Sequence, residues 1–168
     1  ILSIDKDSIP VLKEMTIKFN TKRYNESTLN KTYIAKLEKG NKSSFVSNEL
    51  KNSELIADIK LLGDYMIKVD SIPPSINLID VEDNQWISNK DKLQIRINDE
   101  NSGISSYRGT LNDKWILLEY NPMKGILTYD FDDNINNSES KNILKVSVKD
   151  NVGNTSRLEK VFFRITKK

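Results

Sequence analysis

The second half of the chain repeats a pattern in which every second residue is apolar. Between residues 92 and 98, Leu93, Ile95 and Ile97 alternate with charged or amide side chains. A strand places successive side chains on opposite faces, so this alternation predicts strands with one buried face. Similar runs cover residues 75–81, 104–111, 114–120, 126–131, 144–148 and 161–165, separated by turn-forming residues. Seven short strands in about 90 residues predict an all-β fold, an immunoglobulin-like antiparallel β-sandwich.

The first 70 residues show the same alternation in fewer runs. Apolar residues recur at Met15, Ile17 and Phe19, and again in runs that end near Leu37, Ile59 and Val69. Residues 43–50 form a further, less regular run. Helical spacing does not fit residues 49–62, so a strand is preferred there. Four or five strands predict a smaller β module, complete or incomplete, before the sandwich.

Two adjacent prolines mark the strongest boundary in the sequence. Pro73 and Pro74 cannot donate hydrogen bonds to a sheet ladder, so a strand that ends near Val69 cannot continue through them. We therefore expect a β module over residues 1–70, a Pro-Pro linker over 71–74 and the seven-stranded domain over 75–168. The alternative is a loop inside one larger sandwich.

Composition excludes several classes of chemistry. The 168 residues include no His and no Cys, which removes imidazole bases, thiolate nucleophiles and the usual zinc ligands. The formal net charge of +2 gives no reason to expect a nucleic-acid partner. No apolar stretch approaches the roughly 18 residues of a membrane-spanning helix. Neither Met nor a leader opens the sequence, so we interpret it as a piece of a longer protein.

Carboxylate-rich turns are the candidate metal site. Asp70 borders the linker, while Asp99, Asn101 and Asp150 lie at predicted strand ends, where calcium could gather several oxygen ligands. The alternative is that these residues cap turns by bonding their own backbone, and no EF-hand spacing is present. Apart from calcium we expect no cofactor. Nothing in the linear sequence shows the two-carboxylate cleft of a glycosidase, and we predict no catalytic residues.

Aromatic side chains are the other candidate site, as a platform that stacks on sugar rings. Trp115 is in phase with Leu117 and Tyr129 with Leu127 and Phe131, which predicts packing in the core. In the last run Val161, Phe163 and Ile165 predict the buried face. Trp86 and Phe162 are then the aromatic residues expected to be exposed, and they are the candidate ligand-binding residues.

Three motifs resemble the immunoglobulin-like modules of bacterial surface and secreted proteins. These are residues 63–70 followed by Pro-Pro-Ser-Ile, the segment 98–104, and the turn 149–154. More narrowly, residues 106–120 and 127–131 are similar to the non-catalytic C-terminal region of lysostaphin-like zinc endopeptidases of Bacteroidetes. Ile9-Pro10 and residues 63–65 look like the segment that precedes that region. None of the family's catalytic residues maps onto this chain.

The resemblance implies a non-catalytic accessory or spacer region of an exported bacterial cell-envelope protein, in the periplasm or at the cell surface. It further implies the C-terminal part of a peptidoglycan metalloendopeptidase, whose upstream domain would be the first partner. The alternative is an adhesive module that binds cell-wall glycan or an envelope protein. Neither interpretation includes nucleic acid or a membrane span.

Overall fold

The computed structural model describes residues 1–4, 9–131 and 140–165, and it is built almost entirely of strands. The first strands are β1 (Leu2–Ile4), β2 (Pro10–Asn20), β3 (Thr32–Leu37), β4 (Ser43–Ser47), β5 (Glu49–Lys51), β6 (Glu54–Leu61) and β7 (Gly63–Val69). The others are β8 (Ser75–Ile79), β9 (Gln85–Trp86), β10 (Lys92–Asn98), β11 (Ile104–Leu111), β12 (Lys114–Ile116), β13 (Glu119–Asn121), β14 (Ile126–Asp130), β15 (Lys141–Asp150) and β16 (Thr155–Phe163). One short helix, α1 (Glu26–Leu29), and a 3-10 turn at Lys39–Asn41 complete the described elements. The all-β prediction is confirmed.

The chain divides into two compact units, and the first of them is discontinuous. It comprises residues 1–72 together with two short segments, 100–103 and 150–154. Its strands form one sheet in the order β1-β7-β3-β4 and another in the order β2-β6-β5. Ile17, Ile34, Leu55, Ala57 and Tyr65 are among the buried residues of its core. The run at 43–50 and the segment 49–62 form β4, β5 and β6, as the absence of helical spacing predicts.

β3 is buried along most of its length because both of its faces are covered. Ile34 belongs to the core just described. Tyr33 and Ala35, on the opposite face, pack against Phe45 and against Val152 of the 150–154 segment.

The short helix α1 of the same unit is capped by Asn25, whose side-chain oxygen accepts from the Thr28 backbone N–H at 2.9 Å.

The second unit is a two-sheet sandwich. It comprises residues 73–99, 104–149 and 155–168. One sheet has the order β13-β14-β10-β8 and the other β12-β11-β15-β16-β9. Alternate residues of both sheets meet in one core; Leu93, Ile95 and Ile97 enter it from β10, and Leu144, Val146 and Val148 from β15. Two sheets around one apolar core are the immunoglobulin-like architecture that the alternation predicts. The described residues of this unit form nine strands and not the predicted seven, because the 114–120 run is two strands and β9 is an additional one.

β16 packs in the opposite phase to the one we predicted. Phe162 is 0% exposed and belongs to the core, whereas Phe163 is half-buried on the other face. The pairing decides this phase, because Phe162 lies opposite Asn142, and Asn142 is on the inward side of β15 together with Leu144. Two adjacent phenylalanines make the alternation ambiguous, and the expected exposure of Phe162 is wrong.

The run at 114–120 is divided between the two sheets, and its predicted phase is also wrong. β12 pairs with β11, and β13 pairs with β14. Ile116 and Leu118 are buried, whereas Trp115 and Leu117 are each 62% exposed. A tight turn with positive φ at Asn112 and Asp113 sets Ile116 opposite Gly109. An added Cβ at Gly109 would lie 2.7 Å from Leu118 Cδ1, so a side chain at this inward position would require the Leu118 side chain to shift.

The helices of the described residues are short. None of them has the length and apolar character needed to cross a membrane.

Candidate functional site

Two of the predicted calcium ligands come together within the first unit. Asp70 follows β7, and Asp150 ends β15. A carboxylate oxygen of Asp70 lies within 4.8 Å of one of Asp150. Both residues are only 1% exposed. We call Asp70 and Asp150 the acidic cluster. Asp99, the residue after β10, belongs to the second unit.

Hydrogen-bond donors from the first unit surround the carboxylate of Asp70. Oδ2 accepts from the Ser102 backbone N–H at 3.0 Å and from the Ser102 hydroxyl at 2.6 Å. Oδ1 accepts from the Ile72 N–H at 3.0 Å and from the Asn101 amide at 3.4 Å. A carboxylate accepts about four hydrogen bonds, so the acceptor capacity of Asp70 is filled. The fourth predicted ligand, Asn101, therefore acts here as a donor to Asp70.

Asp150 organises the turn that follows it. Its Oδ1 accepts from the backbone N–H groups of Val152 at 3.0 Å and Asn154 at 2.7 Å. Its Oδ2 accepts from the Asn154 amide at 2.7 Å, and that amide also donates to the Asp70 carbonyl at 3.0 Å. These bonds to following backbone groups are the turn-capping role that we weighed against calcium. Calcium binding at Asp70, Asp99, Asn101 and Asp150 stays a prediction.

The two predicted ligand-binding aromatics lie in opposite settings. Trp86 is 56% exposed on the edge strand β9, and its ring stacks on Phe163 with centroids 5.2 Å apart. Phe162 is enclosed in the core, where its ring meets Phe131 edge-on at 6.0 Å. Phe162 therefore offers no surface to a ligand. Trp86 retains the exposure that a stacking platform needs.

A solvent-facing groove was missed by the sequence reasoning. It encloses about 350 Å³ on the side of the five-stranded sheet that faces away from the core, and its polar lining consists of Arg108, Thr110, Lys145, Ser147, Arg157 and Glu159. The alternation of β15 places Lys145 and Ser147 on one polar face. The partners of that face come from β11 and β16, and strand order cannot be read from the linear sequence.

Lys145 of the groove forms an ion pair with Asp113. Its Nζ lies 2.7 Å from Oδ1 of Asp113, which sits in the turn before β12. This hydrogen bond, with the charge of Asp113, raises the pKa of Lys145 above its ordinary value. Glu159 lies directly opposite Lys145 on β16. Lys145 is consequently positively charged throughout the physiological pH range.

The comparisons with known proteins match part of the chain to a family. Residues 1–70 match the Zu5-like domain family. No curated protein matches the chain.

Among solved structures, the chain is similar to the endo-β-1,4-mannanase from Thermotoga petrophila, at 13% identity and a TM-score of 0.48. That likeness covers 58% of this chain and 21% of the mannanase chain, so the chain spans about a fifth of the mannanase. It is also similar to the fibronectin(III)-like modules of Clostridium thermocellum CbhA, at 13% identity and a TM-score of 0.41, over 90% of this chain and 85% of that one. Neither relative is described as a lysostaphin-like endopeptidase.

Proposed function

We propose that this chain is a non-catalytic accessory region of an exported bacterial cell-envelope protein. The observation that carries the proposal is the closure of the acidic cluster. Asp70 and Asp150 are buried, and donors from neighbouring segments occupy their oxygens. A glycosidase needs two carboxyl groups that face a cleft and a substrate. These carboxylates instead hold loops, and the sequence has no His or Cys for a Ser-His or Cys-His nucleophile pair.

The finer proposal places the chain in the C-terminal part of a peptidoglycan metalloendopeptidase. Its support is the resemblance of residues 106–120 and 127–131 to the non-catalytic region of such enzymes. The zinc ligands and the peptidase activity would then belong to an upstream domain of the same parent chain. The accessory region would keep that domain in the periplasm or at the cell surface, close to its polymeric substrate.

A deletion in the parent protein tests the accessory role. The full parent protein is compared with a form that lacks residues 1–168, in envelope fractions and in assays of peptidoglycan hydrolysis. We expect envelope location and hydrolysis of intact cell walls to fall several-fold, while hydrolysis of small soluble fragments persists. Unchanged location and unchanged wall hydrolysis would contradict the accessory role. An upstream sequence without a zinc peptidase domain would remove the finer proposal alone.

A glycan- or protein-binding module is the second candidate function. Trp86 favours it, because an indole that is more than half exposed leaves a ring face on which a ligand can stack. Its stacking on Phe163 holds the ring in one orientation. Replacement of Trp86 by Ala should abolish retention of the chain on immobilised cell-wall glycan or envelope protein. Unchanged retention would exclude Trp86 from the binding site.

A further inference from the structure

We propose that the outward side of the five-stranded sheet in the second unit binds a linear acidic glycan. This inference rests on the second candidate function and names its surface and ligand class. We call the surface the outer face; it contains the groove described above and ends at the exposed Trp115 and Trp86. Cationic side chains would bind the carboxylates of the glycan, and the two indoles would stack on its sugar rings.

Strand register places these side chains on one face. In β15 the inward residues include Leu144 and Val146, so Lys145 and Ser147 point outward. Their direct partners on β16 are Glu159 and Arg157, and directly paired residues share a face.

The same argument extends to the two edges of the sheet. In β11 the inward Gly109 leaves Arg108 and Thr110 outward, and Thr110 pairs with Trp115 of β12. At the opposite edge, Trp86 of β9 pairs with Phe163. Phe163 has the same outward phase on β16 as Arg157.

The outer face is strongly cationic, although the whole chain is nearly neutral. Its outward strand positions carry the cations Arg108, Lys141, Lys145, Lys149 and Arg157 against the acid Glu159, and Asp113 of the adjoining turn pairs with Lys145, so cations exceed acids by five to two. The outward positions of the other sheet are balanced: Lys92 and Arg96 against Glu119 and Asp130. Charge complementarity therefore favours an anionic partner for the outer face over the outward side of the other sheet of this unit.

The two tryptophans set the reach of the surface. Trp115 lies on β12 and Trp86 on β9, the two outermost strands of the sheet, with three strands between them. Four inter-strand spacings of about 4.8 Å separate these strands, so the face is roughly 19 Å wide. A ligand that reaches both indoles must be extended and polymeric, with an apolar ring face at intervals along it. A linear glycan meets both requirements.

The groove favours an acidic glycan over a nucleic acid. Glu159 stands between cations, opposite Lys145, and would repel the closely spaced phosphates of a polynucleotide. A carboxylate accepts hydrogen bonds only, and sugar hydroxyls can donate to it. The hydroxyls of Thr110 and Ser147, also in the groove, suit the same ligand. Cations, an acceptor and hydroxyls together match a polymer that carries both carboxylates and free hydroxyl groups.

Binding of the full 168-residue chain to defined polymers tests the proposal. The probes are polygalacturonate, alginate and hyaluronate, with fully methyl-esterified polygalacturonate as the uncharged match, measured by affinity electrophoresis and calorimetry. Arg108→Gln/Arg157→Gln removes two cations of the groove, and Arg96→Gln removes one from the other sheet. We expect at least one acidic polymer to bind the unaltered chain. The affinity should fall tenfold when the polymer is esterified, and tenfold in the double variant. The Arg96→Gln variant should bind within twofold of the unaltered chain.

Three results would overturn the proposal. They are no binding to any acidic polymer, equal affinity for the ester, and an unaltered affinity in the double variant. Tighter binding of a single-stranded oligonucleotide than of any glycan would assign the face to nucleic acid and overturn it as well. The deletion assay measures the location of the parent protein, and the polymer assay measures binding by this chain. Failure of the glycan proposal would therefore leave the accessory role unaffected. Failure of the accessory role would likewise leave glycan binding unaffected.

Discussion

The acidic cluster and the outer face both concentrate charged side chains, yet they do so in opposite settings. Asp70 and Asp150 are buried and bonded to donors of their own unit. Arg108 and Arg157 are exposed at the rim of an open groove. A buried charge must be paired to be tolerated, so the hydrogen-bonding capacity of these carboxylates is used within the fold. An exposed cluster of like charge stabilises little and is free to meet a partner.

The largest expected effect separates the inside of the five-stranded sheet from its outside. Phe162→Ala should cost about 3–5 kcal/mol, because it empties a fully buried position. Phe163→Ala, one residue further along β16, should cost less than half as much, since it loses mainly its stacking on Trp86. Urea unfolding followed by circular dichroism measures both. Equal losses would mean that the phase of β16 is misassigned.

Removal of a buried acid should come next. Asp70→Ala leaves the Ser102 and Ile72 N–H groups without their acceptor and should cost about 3 kcal/mol. The matched control is Asp58→Ala, which removes an exposed carboxylate that accepts from the Thr16 hydroxyl at 2.7 Å. That variant should lose less than about 1 kcal/mol. Similar losses of stability in both variants would contradict the distinction between buried and exposed carboxylates.

Calcium addition sharpens the comparison for the cluster itself. The calcium prediction expects a melting temperature several degrees higher, since a ligand at a hundredfold excess over its Kd stabilises by about 2.7 kcal/mol. Asp99→Asn should abolish that increase, because Asp99 is one of the predicted calcium ligands. Differential scanning calorimetry with calcium and with chelator provides the measurement. An unchanged melting temperature would leave hydrogen bonding as the whole role of the cluster.

The smallest expected effect concerns the Lys145–Asp113 pair. The raised pKa of Lys145 means that this pair stabilises the fold below the ordinary lysine value of 10.5 and that the contribution disappears as pH rises through the folded pKa. Asp113→Asn keeps a residue that tolerates the positive φ of the turn, and should bring the pKa of Lys145 down towards 10.5. Side-chain NMR titration measures this change. An unaltered pKa would exclude Asp113 as its cause.

Alternation predicts the strands because burial on one face leaves a visible period. Residues 92–98 and 144–148 read correctly, since each apolar side chain there is followed by a polar one. The period fails at Phe162-Phe163, where both residues are apolar and only pairing with β15 decides which one is buried. It fails again at Trp115, where the run breaks between two sheets. Both failures concern contacts between strands that are distant in sequence.

The acidic cluster and the outer face differ in how much of each can be predicted from the sequence. Strand ends and the linker bring Asp70, Asp99 and Asp150 into one set of candidates. Asp70 and Asp150 come together within the first unit, and calcium binding stays a prediction. The outer face needs the order β12-β11-β15-β16-β9, which brings Arg108 and Arg157 to one groove across 49 residues of chain. Nothing local marks those two arginines as neighbours.

The placement of Trp86 and Trp115 gives the protein a built-in optical readout. They are both of the tryptophans in the sequence, and both belong to the second unit. Indole emission therefore reports unfolding of that unit alone, whereas far-ultraviolet dichroism reports both units. Coincident curves from the two signals would show that the units unfold together, and separated curves would show independent stability. Both indoles lie on the outer face, so a glycan seated there should alter their emission without any added label.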